Sequence, residues 1–143
     1  MSATAGEAEG QSGPAERLGL RPGMVVQELG WDDDADEDLR QAIEKHTGNE
    51  LVDDEYGDVV DAVILWWRDD DGDLVDALVD TKTDLTDGGV IWLLTPKVGR
   101  DGYVDASEIA ESAPTAGLST TTSLSVAPDW LGTKLVTPRA RQR

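Results

Sequence analysis

The sequence contains no cysteine and no phenylalanine, and its one histidine is His46. Without thiols, disulfides, thiolate nucleophiles and cysteine-held zinc or iron–sulfur centres are excluded. With one imidazole, a Ser-His-Asp arrangement has only His46 to draw on, and the serines and threonines at 119–123 fall in an expected edge strand. Basic residues are also scarce. Lysine plus arginine number 12 against 30 aspartates and glutamates, a formal charge of −18, so nucleic-acid phosphate is repelled and no direct nucleic-acid partner is expected. No Gly-x-x-x-x-Gly-Lys phosphate loop occurs. Long apolar runs are missing too: the longest, Ala62 to Trp67, falls far short of the roughly 20 residues of a membrane helix. Met1 to Gly10 is small and acidic rather than basic then apolar. The chain reads as a soluble cytoplasmic protein with no membrane partner.

What is present amounts to one domain. The 143 residues match the roughly 100–150 of a compact unit. Residues 1–15 have no apolar side chain beyond Met1 and alanines, too little to offset the entropy of ordering, and read as a disordered leader. Residues 16–137 read as the folded body. Residues 138–143, with Arg139, Arg141 and Arg143, read as a flexible basic tail.

Within the body, apolar residues alternate between strand and helix patterns. Met24 to Leu29, between Pro22-Gly23 and Gly30, suits a strand. Leu39, Ala42, Ile43 and His46 form one helical stripe, with aspartates before it and Gly48 after it. Val59 to Trp67 is β-branched, aromatic and nearly continuous, the pattern of a strand buried on both faces. Asp73 caps a helix whose apolar positions are Leu74, Val75, Ala77, Leu78 and Leu85. The turn Asp87-Gly88-Gly89 leads into a strand at 90–94, ended by Thr95-Pro96. Asp105-Ala-Ser-Glu108 resembles a capping box for a short helix closed by Pro114. Thr120 to Val126 and Leu131 to Val136, around Ala127-Pro128-Asp129, suit an antiparallel hairpin. This order predicts a three-layer α/β domain with a mainly parallel sheet and an antiparallel end. One link is short. Asp53 to Asp58 reaches roughly 20 Å at about 3.3 Å per residue, so residues 49–52 supply at most a stub of strand.

Leu18-Gly-Leu-Arg-Pro-Gly-Met24, Asp61-Ala-Val-Ile-Leu-Trp-Trp67, Gly88-Gly-Val-Ile-Trp-Leu-Leu-Thr-Pro-Lys97, Ala116-Gly-Leu118 and Asp129-Trp-Leu-Gly-Thr-Lys-Leu-Val136 occur in this order. Together they resemble the domain of unknown function 3052 family of small acidic actinobacterial proteins, over about residues 16–139. More distantly, the second half is similar to that of Rossmann-like methyltransferases: a strand containing Asp61, a Gly88-Gly89 turn into a strand, a helix, Ala116-Gly117-Leu118 and a terminal hairpin. The resemblance implies a reduced, Rossmann-like, methyltransferase-like fold. It does not extend to the glycine-rich loop after the first strand, where Glu28-Leu-Gly-Trp-Asp-Asp-Asp34 keeps only Gly30. No cofactor is therefore expected, and no catalytic residue is carried over.

The carboxylates gather at Asp32, Asp33 and Asp34, with Glu37 and Asp38 following, then at Asp53, Asp54 and Glu55, then at Asp69, Asp70, Asp71 and Asp73. In a parallel sheet these segments follow strand ends and face the edge where such folds bind ligands. Oxygen-rich clusters suit Mg²⁺ or Ca²⁺, but counting back from Gly72 as the sixth residue of a calcium loop puts Trp67 first. Solvated loops and helix N-terminal charges account for these acids without a metal. Asp61, inside an apolar strand, reads as structural, and Lys97 with Arg100 as a solvated loop. Of Trp66 and Trp67, which point to opposite faces, at least one is expected in the core; the other, with Trp31, either lines a pocket at the same edge or serves core and lid packing, the favoured reading. The expected ligand or partner edge is thus Trp31, Asp32, Asp33, Asp53, Trp67, Asp69, Asp70 and Asp71. The function expected is a non-catalytic interaction or regulatory protein whose acidic surface meets a basic protein partner. The alternative is a reduced methyltransferase-like domain that binds S-adenosylmethionine or another small ligand.

Overall fold

A computed structural model describes residues 13–138. Of the expected disordered leader over 1–15 and flexible tail over 138–143, residues 1–12 and 139–143 lie outside the described residues. The described chain runs α1 (Pro14–Arg17), β1 (Val26–Leu29), α2 (Glu37–Thr47), β2 (Val60–Trp66), α3 (Leu74–Thr81), β3 (Leu85–Pro96), α4 (Ala106–Thr115), β4 (Ser119–Ala127) and β5 (Trp130–Val136). The order is the α/β order of the sequence pattern. Ala15 is already buried in α1, one residue ahead of the expected start of the body.

The five strands form one sheet in the order β1-β2-β3-β5-β4. The first three pair in parallel, and β5 joins β3 and β4 antiparallel. Strand β2 is interior, between β1 and β3, and buried on both faces because its side chains alternate between two cores. Val63, Leu65 and Trp67 pack with Leu74 and Leu78 of α3 and Ile109 and Ala113 of α4. Ala62, Ile64 and Trp66 pack with Leu39 and Ile43 of α2, Trp92 and Trp130. Both Trp66 and Trp67 are buried, in keeping with the expectation of at least one of them in the core.

The caps sit where side-chain chemistry places them. Asp36 Oδ1 accepts from Leu39 N at 2.9 Å, Asp73 Oδ1 from Asp76 N at 3.3 Å and Asp105 Oδ1 from Ser107 N at 3.0 Å. Gly48 ends α2 in the left-handed conformation.

Three details depart from the sequence pattern. Leu85 belongs to β3, not to the preceding helix, because α3 ends at Thr81 and Leu85 pairs with Val60. Asp87-Gly88-Gly89 is consequently a bulge within one long strand rather than a turn into a new one. Between the Val60–Leu85 and Ala62–Val90 pairs, β3 carries the excess residues. Glycine is required at 89, since a Cβ there would stand 2.5 Å from Leu85 Cδ1 and 2.9 Å from the Asp61 carbonyl oxygen. Pro114 lies inside the last turn of α4, which runs on to Thr115.

The short link behaves as its length dictates. Val52 makes a single parallel bridge to Gln27 on the side of β1 away from β2. Val52 N donates to Val26 O at 3.0 Å, and Glu28 N donates to Val52 O at 2.7 Å. Exposed residues 53–59 then return to β2 without a helix. Edge strand β1 is therefore left with an open flank beside α3.

Candidate functional site

That flank is a groove of about 590 Å³ at the first strands of the sheet. Leu29, Leu65, Trp67 and Ala77 give it an apolar floor, and Trp31 stands at its mouth, 52% exposed. Asp32, Asp54, Asp71, Asp80 and Asp84 line its walls. Of the sequence-predicted edge residues, Trp31, Asp32, Trp67 and Asp71 come together here. Asp33, Asp53, Asp69 and Asp70 are exposed and outside the lining. Asp53 acts through its backbone, its carbonyl accepting from Gln27 Nε2 at 3.1 Å, while Asp54 beside it takes the wall position.

The feature that sequence reasoning missed is Arg68. It is 9% exposed and lies at the end of β2 facing the β1–α2 loop. Its guanidinium forms an ion pair with Asp34 and a second with Asp71 at 3.3 Å. Nη1 also donates to the Gly30 carbonyl at 2.7 Å and the Trp66 carbonyl at 3.2 Å, and the fork lies 5.3 Å over the Trp130 ring. Burial disfavours the charged guanidinium. The hydrogen bond and attraction of Asp34, then those of Asp71, outweigh burial and raise the Arg68 pKa. The sequence signal was an arginine directly after a buried strand and before three aspartates, which composition alone assigns to a solvated loop.

Glu28, the last acid of β1, is similarly committed. It accepts from Arg40 through both oxygens, at 2.6 and 2.9 Å, and from Trp66 Nε1 at 2.9 Å. Arg40 in turn stands 5.9 Å over the Trp31 ring. Asp61 is structural, Oδ2 accepting from Val25 N at 2.9 Å. His46 lies outside the groove with Nε2 2.7 Å from Leu20 O. Lys97 donates to Ser125 Oγ at 2.6 Å, and Arg100 pairs with Asp129 at 3.0 Å.

The Arg68 hydrogen bond, supported by its charge, holds the Asp34 carboxyl below its usual pKa. A depressed carboxylate stabilises the fold above its unfolded pKa, near 3.9, and that contribution is lost as pH falls through the lower folded value. The melting temperature is therefore expected to drop on acidification below about pH 4, and the drop to be shallower in Asp34→Asn. Melts of both proteins from neutral pH to pH 3 check this; superimposable profiles would remove Asp34 from the account.

Among the described residues no group of three or more acids or histidines is placed to hold a metal ion, and no helix is long and apolar enough to cross a membrane. The groove lining itself contains no histidine, lysine, serine or tyrosine.

The sheet order and open flank define a shortened version of a known architecture. Solved structures, methyltransferases among them, share the fold. A putative methyltransferase from Thermoplasma acidophilum superposes with a TM-score of 0.59 at 12% identity, over 96% of this chain and 76% of that one. The magnesium protoporphyrin IX methyltransferase of Synechocystis, solved with bound SAM, gives 0.54 at 12% identity over 92% and 77%. The pyocyanin biosynthetic protein PhzM gives 0.62 at 10% identity over 87% and 54%. At these identities the likeness is one of fold. The chain itself belongs to the family described as Protein of unknown function (DUF3052), which matches residues 15–139. Two of its relatives are the uncharacterized proteins Mb2263c of Mycobacterium bovis and Rv2239c of Mycobacterium tuberculosis. Each is 48% identical over 134 residues, 94% of this chain and 84% of the relative.

Proposed function

We propose that this protein is a non-catalytic interaction module of the cytoplasm that holds a basic segment of a protein partner in the groove beside β1. The observation that carries the reading is an imbalance of charge over an apolar floor. Five aspartates line the groove, its one cation is Arg68, and no ion pair among the described residues reaches Asp32, Asp54, Asp80 or Asp84. Arginine and lysine side chains suit such a surface, their alkyl stems lying on Leu29, Leu65 and Ala77 and their charged heads reaching the walls. Trp31 offers a ring face to a cation at the mouth. The exposed acids Asp33, Asp53, Asp69 and Asp70 extend the same field outward and speed encounter.

Asp71 is tied to Arg68, so the variant that tests the groove leaves it alone. Asp80→Lys with Asp84→Lys is expected to leave folding intact. In captures from the native lysate, quantified at low and moderate salt, it should deplete basic-surfaced proteins about tenfold relative to the parent chain. Equal recovery by both would contradict the groove as the docking site.

A second reading is supported by the fold neighbour solved with bound SAM and by the position of the groove against Gly30. It makes the protein a reduced methyltransferase-like domain that binds S-adenosylmethionine. Against it stand the buried Arg68 guanidinium on the Gly30 carbonyl and a β1–α2 loop with one glycine followed by Trp31 and three aspartates. Calorimetry with S-adenosylmethionine separates the readings, and no saturable heat is expected.

A further inference from the structure

The two edges of the sheet differ in charge. All but one of the chain's 30 acidic residues precede Ser112, and the exception, Asp129, is neutralised by Arg100 at 3.0 Å. Strand β4, at the edge opposite the acidic groove, reads Ser-Thr-Thr-Thr-Ser-Leu-Ser-Val-Ala and contains no charge and no proline. Among the described residues it pairs only with β5, leaving its outer backbone edge without a strand partner. Thr120 to Ser123 are exposed, with Thr120 and Ser123 on the face beside Ile109 and Ala110 of α4. Edge strands are normally blunted by lysine, proline, inward-pointing charge or β-bulges, and of these β4 has only the last. Here only two register shifts interrupt the strand, at Thr120/Thr122 and Ser125/Ala127, and Thr122–Ser125 between them is regular.

We infer that β4 pairs antiparallel with β4 of a second copy of this chain, joining two five-stranded sheets across a two-fold axis. A second copy is the occupant that the charge distribution selects. At −18 per chain, two copies repel wherever acidic faces meet, and β4 is an edge strand that brings no carboxylate of its own to the contact. Antiparallel pairing of a strand with itself is isologous, so it closes at two copies and does not propagate. Cross-strand threonine and serine pairs, together with the backbone ladder, supply the attraction. Each copy then presents its acidic groove at the far end of the joined sheet, so the dimer is bivalent for a basic partner.

Sedimentation of the full chain over micromolar to submillimolar concentration tests the pairing. The expected result is a reversible shift to a species of twice the 15.4 kDa chain mass, with amide exchange at Thr122–Ser125 slowing as concentration rises. Thr122→Glu with Ser123→Glu places four carboxylates at the two-fold, while residue 122 stays opposite Lys134 in the hairpin. It should weaken association by roughly tenfold or more. Asp80→Lys with Asp84→Lys, at the other edge, should not weaken it. A wild-type chain that stays single, a dimer that survives the glutamates, or a mass that keeps growing with concentration would each overturn the inference. If the glutamate variant does not fold, the exchange experiment on the wild type decides: protection at Thr122–Ser125 independent of concentration overturns it.

Discussion

Gly30→Ala is expected to destabilise the fold by about 4 kcal/mol, an effect of the size reserved for backbone conflict in a packed site. Two costs combine. Gly30 has φ of +77°, a conformation worth roughly 1 kcal/mol or more against any L-residue. The new methyl would also stand 2.3 Å from the Trp66 carbonyl oxygen, and that oxygen belongs to the end of β2, a strand paired on both sides with little freedom to retreat. Thermal or urea unfolding of the variant measures the loss; a change below about 1 kcal/mol would mean that the β1–α2 loop shifts freely and does not define one edge of the groove.

Arg68→Ala is the second large effect, expected at about 3 kcal/mol, or a fall in melting temperature on the order of 10 °C. The substitution removes the donor from the Gly30 and Trp66 carbonyls, leaves Asp34 and Asp71 without their cation, and takes the planar group off Trp130. Arg68→Lys keeps the charge but loses the fork that reaches four acceptors at once, so an intermediate loss is expected. Gly30 and Arg68 both act on the Trp66 carbonyl, and the double variant should therefore lose less than the sum of the single ones. Equal stability of Arg68→Ala and the parent chain would show that the arginine is a solvated residue rather than the seal between β1 and β2.

Much of this arrangement was legible in the sequence because it depends on local pattern. The run from Val60 to Trp66 has the period and length of a strand buried on both faces, and Asp36, Asp73 and Asp105 sit at the N-caps that their side chains favour. The reach of residues 53–58 fixed the single-residue bridge at Val52, and with it the open flank that forms the groove. Leu85 was misread because an apolar residue four positions beyond a helix continues its stripe. Only the register with Val60 shows that it begins a strand.

The groove was half legible. Trp31, Asp32, Trp67 and Asp71 follow strand ends, and topology brings strand ends together. Asp80 and Asp84 were not accessible to that argument, since they come from the last turn of α3 and the link after it and reach the groove only because no helix covers β1. Arg68 was hidden for another reason. Its partners lie 34 residues upstream in the loop after β1 as well as three residues downstream, so no local pattern marks it.

The central claim, that the groove receives cationic protein side chains and not an adenosyl cofactor, is tested most directly by the indole N–H resonances of the five tryptophans. Trp31 and Trp67 line the groove, whereas Trp92, whose Nε1 donates to Leu18 O at 3.0 Å, is buried away from it. In a titration of the full chain with an arginine-rich peptide at low salt, Trp31 and Trp67 should shift saturably, Trp92 should stay fixed, and salt should reverse the shifts. S-adenosylmethionine should move none of the three. Saturable micromolar shifts of Trp31 and Trp67 by S-adenosylmethionine, with none by the peptide, would contradict the account and make the protein a cofactor-binding remnant of the methyltransferase fold.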